Sequence, residues 1–284
     1  TPIACKAAGL PSPDELRPTK ANNFFRLSTT DELQGPAAAD YASNRLHLKR
    51  IALVSDAEAY GQALAKSFSA RFTKLGGSVV ARSELDPSKP VELAGFLQRA
   101  KADGAQGVYF GGTSTNGSCL VRSQMGPVFG AGDAAPFLGG DGIALDPVCV
   151  RDAGANVSGI YATVPALDAA HSDTAKPVIR DFKTEYGRPR DYGPYTMAAY
   201  DATGVIYDAL HRAINAAGGN APSRDRVVAE LAWTSTFHGA TGTFGFDVAG
   251  DTTLRLVSVF KPPFRPHGAW VWVATVDYSA TLPY

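Results

Sequence analysis

The chain has 284 residues, 45% of them hydrophobic and 19% charged, and its 27 basic and 27 acidic side chains balance to a net charge of zero. This is globular composition, long enough for one large domain or two modest ones. The neutral balance argues against nucleic acid, which needs a basic face, and no apolar run approaches the ~20 residues of a membrane span.

The chain opens TPIAC with no initiator methionine and no signal peptide, so a processed or trimmed product is expected. Helix is expected over 34–46, QGPAAADYASNRL, with Pro36 near its start where a missing N–H costs nothing. The apolar run at 51–54 reads as a strand. It passes through Ser55 and Asp56 into a helix that carries Phe68, Phe72 and Leu75 and stops at Gly76-Gly77. A second strand is expected over 78–85. Leu93, Phe96, Leu97 and Ala100 then fall at i, i+3, i+4 and i+7, one face of a helix. Further strands are expected at 107–110, 136–139 and 159–164. Strands alternating with helices of about 10–15 residues mean βαβ units and a parallel sheet.

From about residue 172 the texture changes. TAKPVIRDFKTEYG and YTMAAYDATGVIYDALHRAINAAGG read as successive helices, and SRDRVVAELAW as a third with Ser223 as its N-cap. The tail segments ATGTFGFDVAGD, TLRLVSVF and AWVWVATV are strand-like and must return to a sheet.

Of the three cysteines, Cys119 and Cys149 each follow an apolar segment and a glycine turn, VYFGGTSTNGSC and PFLGGDGIALDPVC. Neighbouring parallel strands would bring these loops together, so a Cys119–Cys149 disulfide and an oxidising compartment are expected. Three buried thiols are the alternative. Cys5 is then odd, with a partner outside this sequence.

Catalytic patterns fail. GGTSTNG (111–117) mimics a phosphate loop, but Ser118 stands where its lysine should be. The same stretch misses a nucleophile elbow because Asn116 replaces the second glycine. GATGTFG (239–245) suits a hairpin better than a dinucleotide loop, and the five histidines (47, 171, 211, 238, 267) have no metal-ligand spacing. No cofactor is expected. What remains is a set of residues after successive strands: Asp56 and Tyr60, Thr113, and Asp141 in GGDG. In an open parallel sheet these ends face one crevice. There a carboxylate can meet an ammonium, hydroxyls can orient a small ligand and a ring can cover it. The bland alternative is that Asp56 and Asp141 cap helices and Tyr60 packs.

Several segments in order resemble the type I periplasmic binding proteins of branched-chain amino acid transporters. They are FFRLSTTDELQG, KRIALVSDAEAYGQALA, VYFGG, PFLGGDGI, GIYATVPALD, YGPYTMAAYDATGVIYDAL and GATGTFGFDVAGD. The resemblance implies an α/β fold of two Rossmann-like lobes with parallel sheets, three crossovers, and a ligand in the cleft between the lobes. It also implies no enzyme activity, secretion to the periplasm or cell exterior with an optional lipid anchor, and delivery of ligand to a membrane ABC permease. One lobe would comprise 30–165 plus 250–284, the other 1–29 plus 166–249. A ligand-sensing receptor domain of the same fold is the alternative function, and a Rossmann-like enzyme a more distant one.

Position by position, the resemblance makes Tyr60 an aromatic contact of a bound aliphatic amino acid and Asp141 the partner of its ammonium. It places Thr113 where the family often has tyrosine, Tyr195 of YGPY among cleft-lining aromatics, and Asp31 at the first crossover hinge. Asp56 opens the D-x-x-x-Y-G motif. IACKAAG (3–9) aligns with the family's carboxylate-binding I-S-P-x-x-T, with Ala4, Cys5 and Ala8 replacing Ser, Pro and Thr. The carboxylate contact then falls to backbone near Ala8 and to Lys6. The family's first strand–helix units have no counterpart, so the first lobe is expected to be incomplete, amino acid binding by this chain alone weak, and a homodimer covering apolar surface a further expectation.

Overall fold

The computed structural model describes residues 13–17, 21–84, 90–186, 192–263 and 270–280. After one helical turn at Pro13–Leu16, the order is α1 (Asp31–Asn44), β1 (Arg50–Ser55), α2 (Ala59–Lys74), β2 (Ser78–Glu84) and α3 (Pro90–Ala102). Next come β3 (Val108–Gly111), α4 (Ser118–Phe129), β4 (Phe137–Gly139), α5 (Pro147–Ala153) and β5 (Ile160–Val164). Three helices follow, α6 (Lys176–Tyr186), α7 (Thr196–Ala216) and α8 (Arg224–Ala232). The short β6 (Phe237–His238) and β7 (Thr243–Phe244) precede β8 (Leu256–Lys261) and β9 (Val271–Asp277).

Seven strands form one sheet in the order β2-β1-β3-β4-β5-β8-β9. The pairs β1–β2, β1–β3, β3–β4 and β4–β5 are parallel, whereas β8 runs antiparallel to β5. The expected parallel sheet therefore holds through β5. It gives way at β8, which rejoins the sheet after a long excursion rather than through a crossover helix.

The continuous apolar run of β1 is buried on both faces, as a central parallel strand requires. Ile51 and Leu53 pack with Phe68 and Phe72 of α2, Tyr109 of β3, and Ala38, Ala39 and Ala42 of α1. Ala52 and Val54 pack on the other face with Leu93, Phe96 and Leu97 of α3 and with Val121 and Met125 of α4. Phe68 stacks on Tyr109 with ring centroids 3.9 Å apart.

Helix α1 starts at Asp31, three residues before the expected 34, which places Pro36 inside the helix rather than at its edge. Asp31 and Glu32 suit the positive helix start, and this early acidic turn outweighs the proline's lost donor. The small residues of α1 let it lie against α2. A Cβ on Gly35 would come 2.8 Å from Phe68 N and 2.9 Å from Leu64 O, both backbone atoms of α2.

On the opposite face Cys119 and Cys149 form the disulfide, with Cα atoms 5.0 Å apart and both residues fully buried. They sit within α4 and α5 rather than in the strand-end loops. Arg122 of α4 is fully buried and donates to the carbonyls of Asn156 and Ala135 at 2.7 Å each, and to those of Gly132 and Ser158. Burial pulls its guanidinium down to about 10, the Asp133 charge opposing. One cation thereby satisfies four carbonyls, of which that of Ala135 is buried.

The chain divides into two compact units. One holds Thr30–Pro165 with Val257–Val276, and the other holds the residues up to Thr29, Ala166–Leu256 and those from Asp277 onward. The return to the sheet unit thus falls at 257 rather than the expected 250, and the residues from 277 group with the other unit. Local bonds explain the difference. Arg26 pairs with Asp251, Thr252 N donates to Arg26 O at 3.0 Å, and Tyr278 N donates to Arg255 O at 2.9 Å.

In this second unit Ser223 caps α8, accepting from Arg226 N at 3.2 Å. Asp201 of α7, 1% exposed, accepts from the N–H groups of Ala240 and Thr241 at 2.7 Å each. It thereby fixes the β6–β7 turn, the hairpin foreseen for GATGTFG. The outer side of α7 exposes Tyr200, Ile206 and Tyr207.

Two outcomes are expected. Cys119→Ala/Cys149→Ala loses a cross-link closing a 30-residue separation. That loss is worth roughly 3–4 kcal/mol, and Tm in calorimetry should fall by about 6–12 °C. Gly35→Ala adds helix propensity but drives a methyl into α2 backbone. The urea midpoint should therefore report a net loss of about 1–2 kcal/mol rather than a gain.

Candidate functional site

The tips of β1, β3 and β4 and the first turns of α1 build one polar cluster within the sheet unit. Close backbone approach makes it. A Cβ on Gly111 would lie 2.0 Å from Gly61 O, and one on Gly142 would lie 2.7 Å from Gly112 O. Glycine at these four positions lets the start of α2 and the β3 and β4 loops draw together.

Asp56 follows β1. Its Oδ2 accepts from Thr113 N at 3.2 Å and from Asn116 Nδ2 at 2.9 Å, while Oδ1 accepts from Glu58 N at 3.2 Å. The carboxylate is therefore occupied in tying the β1 tip to the β3 tip. It does not cap α2, whose N-cap residue is Glu58. These bonds also hold Ala57 at φ 64°, a left-handed conformation costly for a residue with a Cβ. Thr113 lies at the end of β3, half-buried, with its hydroxyl 2.9 Å from that of Thr115.

Asp141 follows β4 and is the centre of the cluster. The Tyr60 hydroxyl donates to Asp141 Oδ1 at 2.6 Å and accepts from Gly142 N at 3.1 Å. Burial, then the Asp141 charge and hydrogen bond, raise the Tyr60 phenol above its ordinary value, so it stays a donor. A Cβ on Gly140 would approach the Tyr60 hydroxyl to 2.7 Å, so glycine there makes room for the ring's polar end.

Gln34 is the residue that sequence reasoning missed. It is fully buried in α1, and its Nε2 donates to Asp141 Oδ1 at 3.0 Å and to Thr163 O at 2.9 Å. Its Oε1 accepts no hydrogen bond among the described residues, a burial cost of roughly 1–3 kcal/mol. A signal existed, because Gln34 shares the i, i+4, i+8 stripe with Ala38 and Ala42, the face α1 buries.

The remaining sequence candidates lie elsewhere. Tyr195 belongs to the second unit, where it precedes α7 and is 38% exposed. Asp31 is the exposed first residue of α1, next to the unit boundary at Thr29–Thr30. Lys6 and Ala8, with Ala4 and Cys5, lie outside the described residues. Among the described residues no group of three His, Cys, Asp or Glu could hold a metal ion. What the cluster offers is a carboxylate aimed by two neutral donors, suited to receiving a protonated amine.

The profile of the periplasmic binding proteins matches residues 7–260. An amino acid binding protein of Pseudomonas aeruginosa is 30% identical over 204 residues, 72% of this chain and 51% of that protein. Leu/Ile/Val-binding protein homolog 3 of Brucella melitensis is 30% identical over 239 residues, 84% of this chain and 61% of that protein. The crystal structure of a leucine binding protein from Thermotoga maritima superposes with a TM-score of 0.70 at 26% identity, covering 91% of this chain and 69% of that one. The chain spans between about half and three fifths of the length of these curated relatives. All three are named as binding proteins, not enzymes. The chain belongs to the periplasmic binding protein family, among the relatives of the branched-chain amino acid type.

Proposed function

We propose that this chain is part of the solute-binding component of an ABC importer that captures a small amphipathic molecule, foremost a branched-chain or other aliphatic amino acid. The observation that carries the reading is the Asp141 carboxylate, held by the Tyr60 hydroxyl at 2.6 Å and the Gln34 amide at 3.0 Å at the tip of a parallel sheet. The ligand ammonium meets Asp141, and the Tyr60 ring covers the aliphatic part. Thr113 and the loop that Asp56 anchors border the ligand's side chain. Tyr195, Lys6 and the backbone at Ala8 complete the cleft that family membership implies, with Lys6 and the backbone taking the carboxylate. The captured solute passes to a membrane permease.

The family implies an extracytoplasmic location, and the buried Cys119–Cys149 disulfide suits an oxidising compartment. Among the described residues no helix is long and apolar enough to cross a membrane.

Calorimetry with leucine on the longest natural polypeptide containing these residues tests the reading. Asp141→Asn should weaken leucine roughly 10–150-fold, the value of one charge-assisted hydrogen bond. Tyr60→Phe should cost about 3–10-fold, since it removes a neutral donor and keeps the ring. An unchanged leucine affinity in Asp141→Asn would sink the assignment.

A further inference from the structure

Gln34 stands at a junction that amine recognition alone does not require. The chain enters the sheet unit at Thr30, and Gln34 follows one helical turn later in α1. Its bond to Thr163 O reaches β5 two residues before the chain leaves the unit at Pro165. Thr163 in turn pairs with Val259 of β8, two residues after the chain re-enters at Val257. Three of the four passages of the chain between the units, at 29/30, 165/166 and 256/257, therefore lie within a few residues of this amide or of the Thr163–Val259 pair that it meets. Its other bond goes to Asp141 Oδ1.

We propose that Gln34 is a positioning residue that aims the Asp141 carboxylate and fixes it against β5 beside the crossing at Pro165. The proposal rests on the reading of Asp141 as the ligand's partner.

The physical case begins with what the fold does not need. Gln34 is fully buried and its Oε1 accepts no hydrogen bond among the described residues. An apolar side chain of equal length would remove that buried acceptor, so stability alone does not select an amide here. Ala38 and Ala42 on the same stripe show what the packing accepts. The two donor bonds are what distinguish position 34. Each amide proton has one acceptor, Asp141 Oδ1 or Thr163 O, so the planar amide cannot turn without disturbing both. A carboxylate that shifts toward a cation therefore pulls on the amide plane, and through its other proton on the β5 carbonyl beside the crossing.

The test uses the longest natural polypeptide containing these residues, with leucine and 4-methylpentanoate, which is leucine without its ammonium, as probes. Gln34→Met keeps length and loses both donors. It should weaken leucine about tenfold and change any 4-methylpentanoate affinity less than about twofold. A purely structural role would weaken both probes alike, and that result overturns the proposal, as does an unchanged leucine affinity. A ligand-free arm compares the Tm of Gln34→Met, Asp141→Ala and the double variant. The double should lose less than the sum of the two single losses, since the Gln34–Asp141 bond is already lost in either single variant, whereas additive losses overturn the coupling. If the parent binds neither probe, the amino acid reading fails, and the melting cycle alone decides the Gln34–Asp141 link.

Discussion

The Tyr60–Asp141 hydrogen bond makes demands on almost everything around it. For a phenol at the start of α2 to reach a carboxylate after β4, the loops after β1, β3 and β4 must close to backbone contact. Glycine at 61, 111, 140 and 142 permits that closure, since a Cβ at each would meet an atom within 2.7 Å. The remaining support comes from behind, where Gly35 lets α1 approach α2 and bring Gln34 to Asp141. The alanine-rich face of α1 and the bond at the tip are thus two ends of one packing arrangement. Space removed from the helix interface becomes reach at the site.

The sequence shows the backbone of this arrangement more readily than its polar wiring. Alternating strands and helices were legible because IALV, the 93–100 helix face and VYF carry period and burial in their own residue types. The disulfide was legible from two cysteines after successive glycine turns, although its half-cystines belong to helices. The antiparallel entry of β8 was not legible, because its local pattern is the same in either direction and only the path of the intervening chain decides. Nor was the true start of α1, where proline suggested an edge and the acidic turn before it formed the real one.

At the site, residue type revealed position but not role. Asp56, Tyr60, Thr113 and Asp141 follow strands as read, yet Asp56 spends its hydrogen-bonding capacity on Thr113, Asn116 and Glu58. Two aspartates at equivalent strand ends therefore differ in their partners, Asp56 bonding the β3 loop and Asp141 the side chains of Tyr60 and Gln34. One organises the loops and the other is organised by them. No rule of spacing separates the two, because the distinction lies in which backbone N–H groups a neighbouring loop turns inward.

The balance of costs at Gln34 sharpens the point. An unsatisfied buried acceptor costs roughly 1–3 kcal/mol, and a hydrogen bond to a charged group returns roughly 1.5–3 kcal/mol. The bond to Asp141 and the penalty at Oε1 are thus of similar size, and the bond to Thr163 adds the modest net value of a neutral pair. Position 34 gains the fold little over an alanine like its stripe neighbours. What it does gain is geometric, since the carboxylate oxygen that receives both Tyr60 and Gln34 is held in one direction. A group held in place beforehand loses less freedom when a ligand arrives, so on the proposed reading of Asp141 this network, nearly neutral for stability, favours binding.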